Sequence, residues 1–138
     1  MEGMSTADET PAPTVWPVLR AHDAHALIDF LERALGFTRA AVFTDGDRVV
    51  HAQLAWPEGG GVMLASHEPG GEWRREPGSA GMYVVTDRVD ELWERARAAG
   101  AEVLRELADQ DYGNREFAIR DPEGNLWSFG PYRGEPVG

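Results

Sequence analysis

The sequence predicts an α+β fold made of two copies of a βαβββ module. Three observations predict it. Pro-Glu-Gly occurs at 57–59 and again at 122–124, 65 positions apart, each time between two strand-like runs. The run 15–20 and the helical pattern after it are echoed about 66 positions later by 81–86 and a second helical pattern. Both halves then read strand, helix, strand, strand, strand. A repeat of this length settles architecture before any single residue is interpreted, because each copy is one supersecondary unit.

Residues 1–13 are acidic and polar, carry Pro11 and Pro13, and lack apolar periodicity, so a disordered leader is expected there. The first module is expected over 14–66. It opens with a strand at 14–20, after which Asp23 caps a helix whose Ala26, Leu27, Phe30, Leu31 and Leu35 recur at helical spacing until Gly36. Strands at 37–44 and 48–56 are joined by Asp45-Gly46-Asp47, a pair-plus-acid that suits a tight hairpin, and a third strand covers 61–66. A turn-rich connector at 67–79 holds Trp73, a residue costly to leave in water. The second module, 80–132, repeats the order: a strand at 82–86, a helix at 89–99 with Leu92, Trp93, Ala96 and Ala99 on one face, Gly100 as stop, a strand at 102–107 and a final hairpin. Its turn is Asp121-Pro122-Glu123-Gly124-Asn125, with Asp121 accepting from its own turn. Residues 133–138 read as a tail.

Composition narrows the function classes. The chain has 138 residues with 42% hydrophobic content, enough for one domain or two half-domains sharing a core. No apolar run reaches the roughly 18 residues of a membrane span, and the N-terminal residues are not a signal peptide, so a cytoplasmic protein without a membrane partner is expected. The absence of cysteine removes disulfides, thiolate nucleophiles and Cys-based zinc sites together. Thirteen Lys and Arg against 24 Asp and Glu give a net charge of −11, which repels a nucleic-acid backbone.

The segment 115–128, Arg-Glu-Phe-Ala-Ile-Arg-Asp-Pro-Glu-Gly-Asn-Leu-Trp-Ser, and the helix-to-strand run 89–101 resemble the vicinal oxygen chelate superfamily, also called the glyoxalase, bleomycin-resistance and extradiol-dioxygenase superfamily. The resemblance spans about 14–132. It implies cupped mixed sheets, a homodimer with clefts at or near the subunit interface and, in the enzymes, a divalent metal held by one ligand from the first and one from the last strand of each module. Carried over by position, those slots fall on Trp16 and Met63 (or Leu64) and on Met82 and Ser128. Indole, thioether and hydroxyl are poor ligands for such a metal. No metal and no cofactor are therefore expected, and the resemblance points to the branch that sequesters antibiotics unaltered.

Trp16, Met63 and Met82 would instead line the cleft with an aromatic face and two thioethers, which suits flat apolar molecules. Strand parity adds Val18, Arg20, Val84, Thr86, Leu126 and Gly130 to the cleft face and turns Tyr83 and Val85 toward the helices. His51 and Gln53 share a face and join the ligand-binding set with Trp73 and Ser128. No catalytic residue is expected; His51, with its near-neutral intrinsic pKa, is the candidate if chemistry occurs. His22 and His25, three apart, are the other conceivable metal pair, and His67 is a possible ligand contact from the connector. Acids at Glu106, Asp109, Asp111 and Glu116 suggest a ligand that carries positive charge. The expected function is metal-independent binding of a hydrophobic or aromatic small molecule such as an antibiotic. The alternative is a metal-dependent lyase, isomerase or dioxygenase with a shifted ligand set, His51 with Glu116.

Overall fold

The computed structural model describes residues 12–137, so most of the expected leader and Gly138 lie outside the described residues. The chain forms β1 (Val18–Ala21), α1 (Ala24–Leu35), β2 (Thr38–Asp45), β3 (Arg48–Ala55) and β4 (Gly61–Ser66), then β5 (Gly81–Val85), α2 (Val89–Ala98), β6 (Glu102–Asp109), β7 (Arg115–Arg120) and β8 (Leu126–Gly130). Two four-stranded mixed sheets result, ordered β1-β4-β3-β2 and β5-β8-β7-β6. In each, the first and last strands of the βαβββ unit pair in parallel and the other pairs are antiparallel.

Local chemistry accounts for the boundaries. The Asp23 side chain accepts from Ala26 N at 3.1 Å, and Gly36 closes α1 in the left-handed conformation (φ 81). The buried face of α1 is Ala24, Leu27, Ile28, Phe30, Leu31, Ala34 and Leu35; Ala26 is exposed, one residue off the expected stripe. The first strand begins only at Val18, because Pro17 has no N–H for the ladder, although its carbonyl still accepts from Met63 N at 2.9 Å. The expected strand at 102–107 runs two residues further, to Asp109.

The sheets and helices share one core. Phe37, Trp56, Trp127, Phe129 and Phe117 form a chain of ring contacts, with centroids 5.7 Å apart between Phe37 and Trp127 and 5.0 Å between Phe117 and Phe129. Such contacts add to the burial of the rings themselves. The helices pack on each other, and Trp56 Nε1 donates to the Val85 carbonyl across the seam at 3.1 Å.

Polar clasps lock that seam from both sides. Glu58, in the first Pro-Glu-Gly turn, accepts from Thr86 Oγ1 (2.6 Å) and Asp87 N (3.0 Å) at the head of α2. Glu123, in the second turn, accepts from His22 N and Asp23 N (2.8 Å each) at the head of α1. At the other ends, Arg95 donates to the carbonyls of Glu32 and Arg33, and Arg33 donates to the carbonyl of Ala99. Carboxylates therefore meet helix N-termini and guanidinium groups meet C-termini, the favourable sense for the helix dipole. The repeated Pro-Glu-Gly turn thus gives each module a carboxylate that reaches the helix head of the other.

Candidate ligand-binding site

Partners in register share a face, so the ladders say which side chains point away from the core. In the first sheet Val18 pairs with Met63 and Gln53 pairs with Met63, placing Val18, Arg20, Gln53, Met63 and Ala65 on the open face. A bulge on β3, where Phe43 opposes His51 and Thr44 opposes Val49, leaves Val50 unpaired. Val50 thereby joins His51 toward the open side, where strict alternation along the strand would put the two on opposite faces. Val18, Arg20, Val50, His51, Met63, Leu64, Ala65 and Trp73 line an open groove of about 250 Å³. The structure thus brings Met63, His51 and Trp73 together, with Gln53 beside Met63 in register.

Trp16 lies against Gly61. A Cβ on Gly61 would stand 2.9 Å from Trp16 Cζ3 and 2.2 Å from the Leu54 carbonyl oxygen, so only glycine gives the indole this seat. Gly61→Ala is expected to loosen Trp16 and the start of β4, read as a red-shifted tryptophan emission and a lower unfolding midpoint.

The second module requires a correction. Tyr83 pairs with Ser128, and Met82 pairs with Trp127, whose side chain is buried at 1% exposure. Met82 and Val84 pack against the core, Thr86 is buried on Glu58, and Tyr83 takes the open face that had been assigned to Met82. The expected offset of about 66 is 65 for this strand, as Val18 to Tyr83 and Met63 to Ser128 both show. One residue of slip exchanges the two faces of a strand. Ser128 does lie on the open face, in a second groove of about 340 Å³ with Leu104, Arg105, Ala118 and Leu126.

Glu116, the repeat of His51, is 5% exposed and fully engaged. It accepts from Tyr112 Oη (2.8 Å) and Asn114 Nδ2 (2.7 Å) and pairs with Arg105 at 3.3 Å. The hydrogen bond to this carboxylate holds the Tyr112 phenol above its ordinary pKa. Because the folded value is raised, the stabilisation is present below about pH 10 and is lost as pH rises through the folded pKa. Glu116→Gln should therefore move one tyrosine step of an ultraviolet titration to lower pH. Of the other acids near this hairpin Asp109 pairs with Arg115, which also meets Asp90, whereas Glu106 and Asp111 have no ion pair among the described residues.

The metal expectations can be tested against the donors present. Trp16, Met63 and Ser128 offer no imidazole or carboxylate, Met82 faces the core, and Gly81, the true counterpart of Trp16, has no side chain. These residues do not fit the divalent metal of the superfamily's enzymes. His22 contacts His67, with ring centroids 4.9 Å apart, rather than His25. Among the described residues no group of three His, Asp or Glu is placed to hold a metal ion.

A third cavity, about 230 Å³, lies at the seam between Phe37, Trp56, Met82 and Trp127. Of the charged groups beside it, Glu58 is bound to the head of α2 and Arg133 is paired with Asp87.

The geometry agrees with the comparisons to known proteins. A family model described as the Glyoxalase/Bleomycin resistance protein/Dioxygenase superfamily matches residues 14–129. The chain belongs to that superfamily. The uncharacterized protein Mb0911c of Mycobacterium bovis is 35% identical over 127 residues, 86% of this chain and 82% of its own. Among solved structures, TioX from Micromonospora sp. ML1 superposes with a TM-score of 0.70 at 29% identity, covering 85% of this chain and 98% of that one. TnmS3, an antibiotic binding protein from Streptomyces sp. CB03234, shares the fold with a TM-score of 0.62 at 22% identity, over 87% and 97% of the two chains. No described helix is long and apolar enough to cross a membrane.

Proposed function

We propose that this protein binds an apolar, aromatic small molecule without a metal ion, in the open groove of the first module. The observation that carries the reading is the groove itself: Val18, Val50, Met63 and Trp73 form an apolar wall on a sheet face that nothing else among the described residues covers. Trp73 is 63% exposed and Val50 50% exposed. Thioether and indole surfaces of this kind accept flat rings of varied outline. The same fold occurs in TnmS3, an antibiotic binding protein, and an antibiotic held unaltered in the cytoplasm is the ligand class this reading favours. His51 lines the same groove and Gln53 stands beside Met63, Trp16 lies against Gly61 at the start of the same strand as Met63, and Ser128 and Met82 belong to the second groove and its core side.

The same exposure argues for a homodimer. Tyr83, Leu104 and Leu126 are 43%, 40% and 44% exposed, and apolar side chains grouped on the second open face suit an interaction surface. A two-fold pair would lay the second groove of one copy over the first groove of the other, completing two enclosed sites. Light scattering should give the mass of a dimer; a monomer that still binds ligand would remove this part of the reading.

The shifted metal site draws no support from the donors. His51 and Glu116 lie on different sheets of the chain, and Glu116 is occupied by Tyr112, Asn114 and Arg105. The test of the binding reading is Met63→Asp. A carboxylate in the apolar floor should lower affinity for polyaromatic ligands by more than about tenfold, because burying it unpaired is costly. The half-buried position predicts little loss of stability. Normal binding by this variant would show that the groove is not the site.

A further inference from the structure

Arg20 stands apart from the other arginines. Of the half-buried ones, Arg48, Arg115 and Arg120 each pair with a carboxylate, at 2.9 to 3.1 Å. Arg20 meets none among the described residues. It donates instead to two backbone carbonyls at long range, Nε to Trp73 (3.3 Å) and Nη1 to Ser66 (3.4 Å). The Nη2 end has no partner among the described residues, and Arg20 is the one charged side chain among the groove-lining residues, which include no carboxylate. The second groove differs, since its one charged lining residue, Arg105, is paired with Glu116 at 3.3 Å. A guanidinium is a planar fork that matches a carboxylate in two parallel hydrogen bonds, and a partly dehydrated one gains from meeting an anion.

Resting on the binding reading above, we propose that the groove selects planar aromatic acids, with Arg20 receiving the ligand's carboxylate while Trp73 and Met63 contact its ring. The sign is opposite to the one suggested by the net charge of −11 and the acids of the last hairpin. Those acids stand on and around the second sheet, Glu116 paired with Arg105 and Asp109 with Arg115, and none of them lines the groove, whose one charged side chain is Arg20. The connector has a second role here: its Trp73 carbonyl holds Arg20, and the indole of the same residue forms the groove wall.

Three probes of one shape and different charge test the proposal: naphthalene-2-carboxylate, naphthalene-2-carboxamide and 2-naphthylmethylamine, titrated calorimetrically into the full-length protein. The carboxylate should bind about ten- to a hundredfold more tightly than the amide, the range of a charge-assisted hydrogen-bonded pair, and the amine most weakly. Arg20→Gln should collapse the carboxylate-to-amide ratio toward one, and Arg20→Lys, which keeps the charge and loses the fork, should retain part of it. Equal affinities for carboxylate and amide, or preference for the amine, would overturn the anion assignment and leave the binding reading standing. An unchanged ratio in Arg20→Gln would reduce Arg20 to a brace for the connector. Failure of all three probes to bind would overturn this inference together with the reading it rests on.

Discussion

Replacing Asp121 with alanine is expected to cost about 3–5 kcal/mol, one of the largest single losses available in this chain. Asp121 is 3% exposed, and its Oδ1 accepts from the amides of Glu123, Gly124 and Asn125 at 2.9 to 3.0 Å. Its Oδ2 accepts from Asn125 Nδ2 and Trp127 Nε1 at 2.9 Å each. Alanine would strand the buried donors of Asn125 and Trp127, while Gly124 N would keep its bond to the residue 121 carbonyl, and a buried donor without a partner costs more than the bond contributed. Asn125 in turn holds the entry to β5 through Ala80 N, and Trp127 is at the centre of the shared core. Asp121→Asn should recover only part of the loss, because its amide turns a donor toward two others. Urea unfolding followed by tryptophan emission measures both; a variant within about 1 kcal/mol of the parent would mean the turn is held by something else.

The second large effect is expected at the seam. Glu58→Ala and Glu123→Ala should each destabilise by about 1 kcal/mol, the usual value of a lost helix cap, discounted because both carboxylates are partly in water. The double variant should lose about 2 kcal/mol, the sum, since the two clasps share no partner. It should also lose protection from hydrogen exchange at the heads of both helices. A double variant no less stable than the parent would show that the aromatic contacts hold the modules unaided.

Why was the architecture legible in the sequence when part of the site was not? The repeat rests on local signals: Asp23 and Gly36 bound one helix, Asp-Gly turns a hairpin, and apolar periods mark the core faces of α1, β7 and β8. The β5 strand carries no such signal. Met82, Tyr83, Val84 and Val85 are all apolar or amphipathic, so alternation cannot choose a face, and a one-residue error in the repeat offset exchanged Met82 for Tyr83. The β3 bulge hid Val50 for a related reason, since a period of two assumes an unbroken ladder. Parity did place Arg20, Met63 and His51 toward one open face. The clasps were beyond sequence reasoning altogether: Glu123 reaches backbone amides 100 and 101 positions away, and nothing in Pro-Glu-Gly names the recipient. His22 likewise found His67 rather than the nearby His25.

The proposed function requires that an aromatic ligand bind this open groove with no metal ion. The most direct test is calorimetric titration of naphthalene-2-carboxylate into protein dialysed against EDTA, repeated after adding zinc, nickel, manganese or iron(II). The same saturable binding is expected in every case, with Met63→Asp weakening it by more than about tenfold throughout. Binding that appears only when a divalent metal is restored would contradict the account and return the shifted-ligand enzyme to first place.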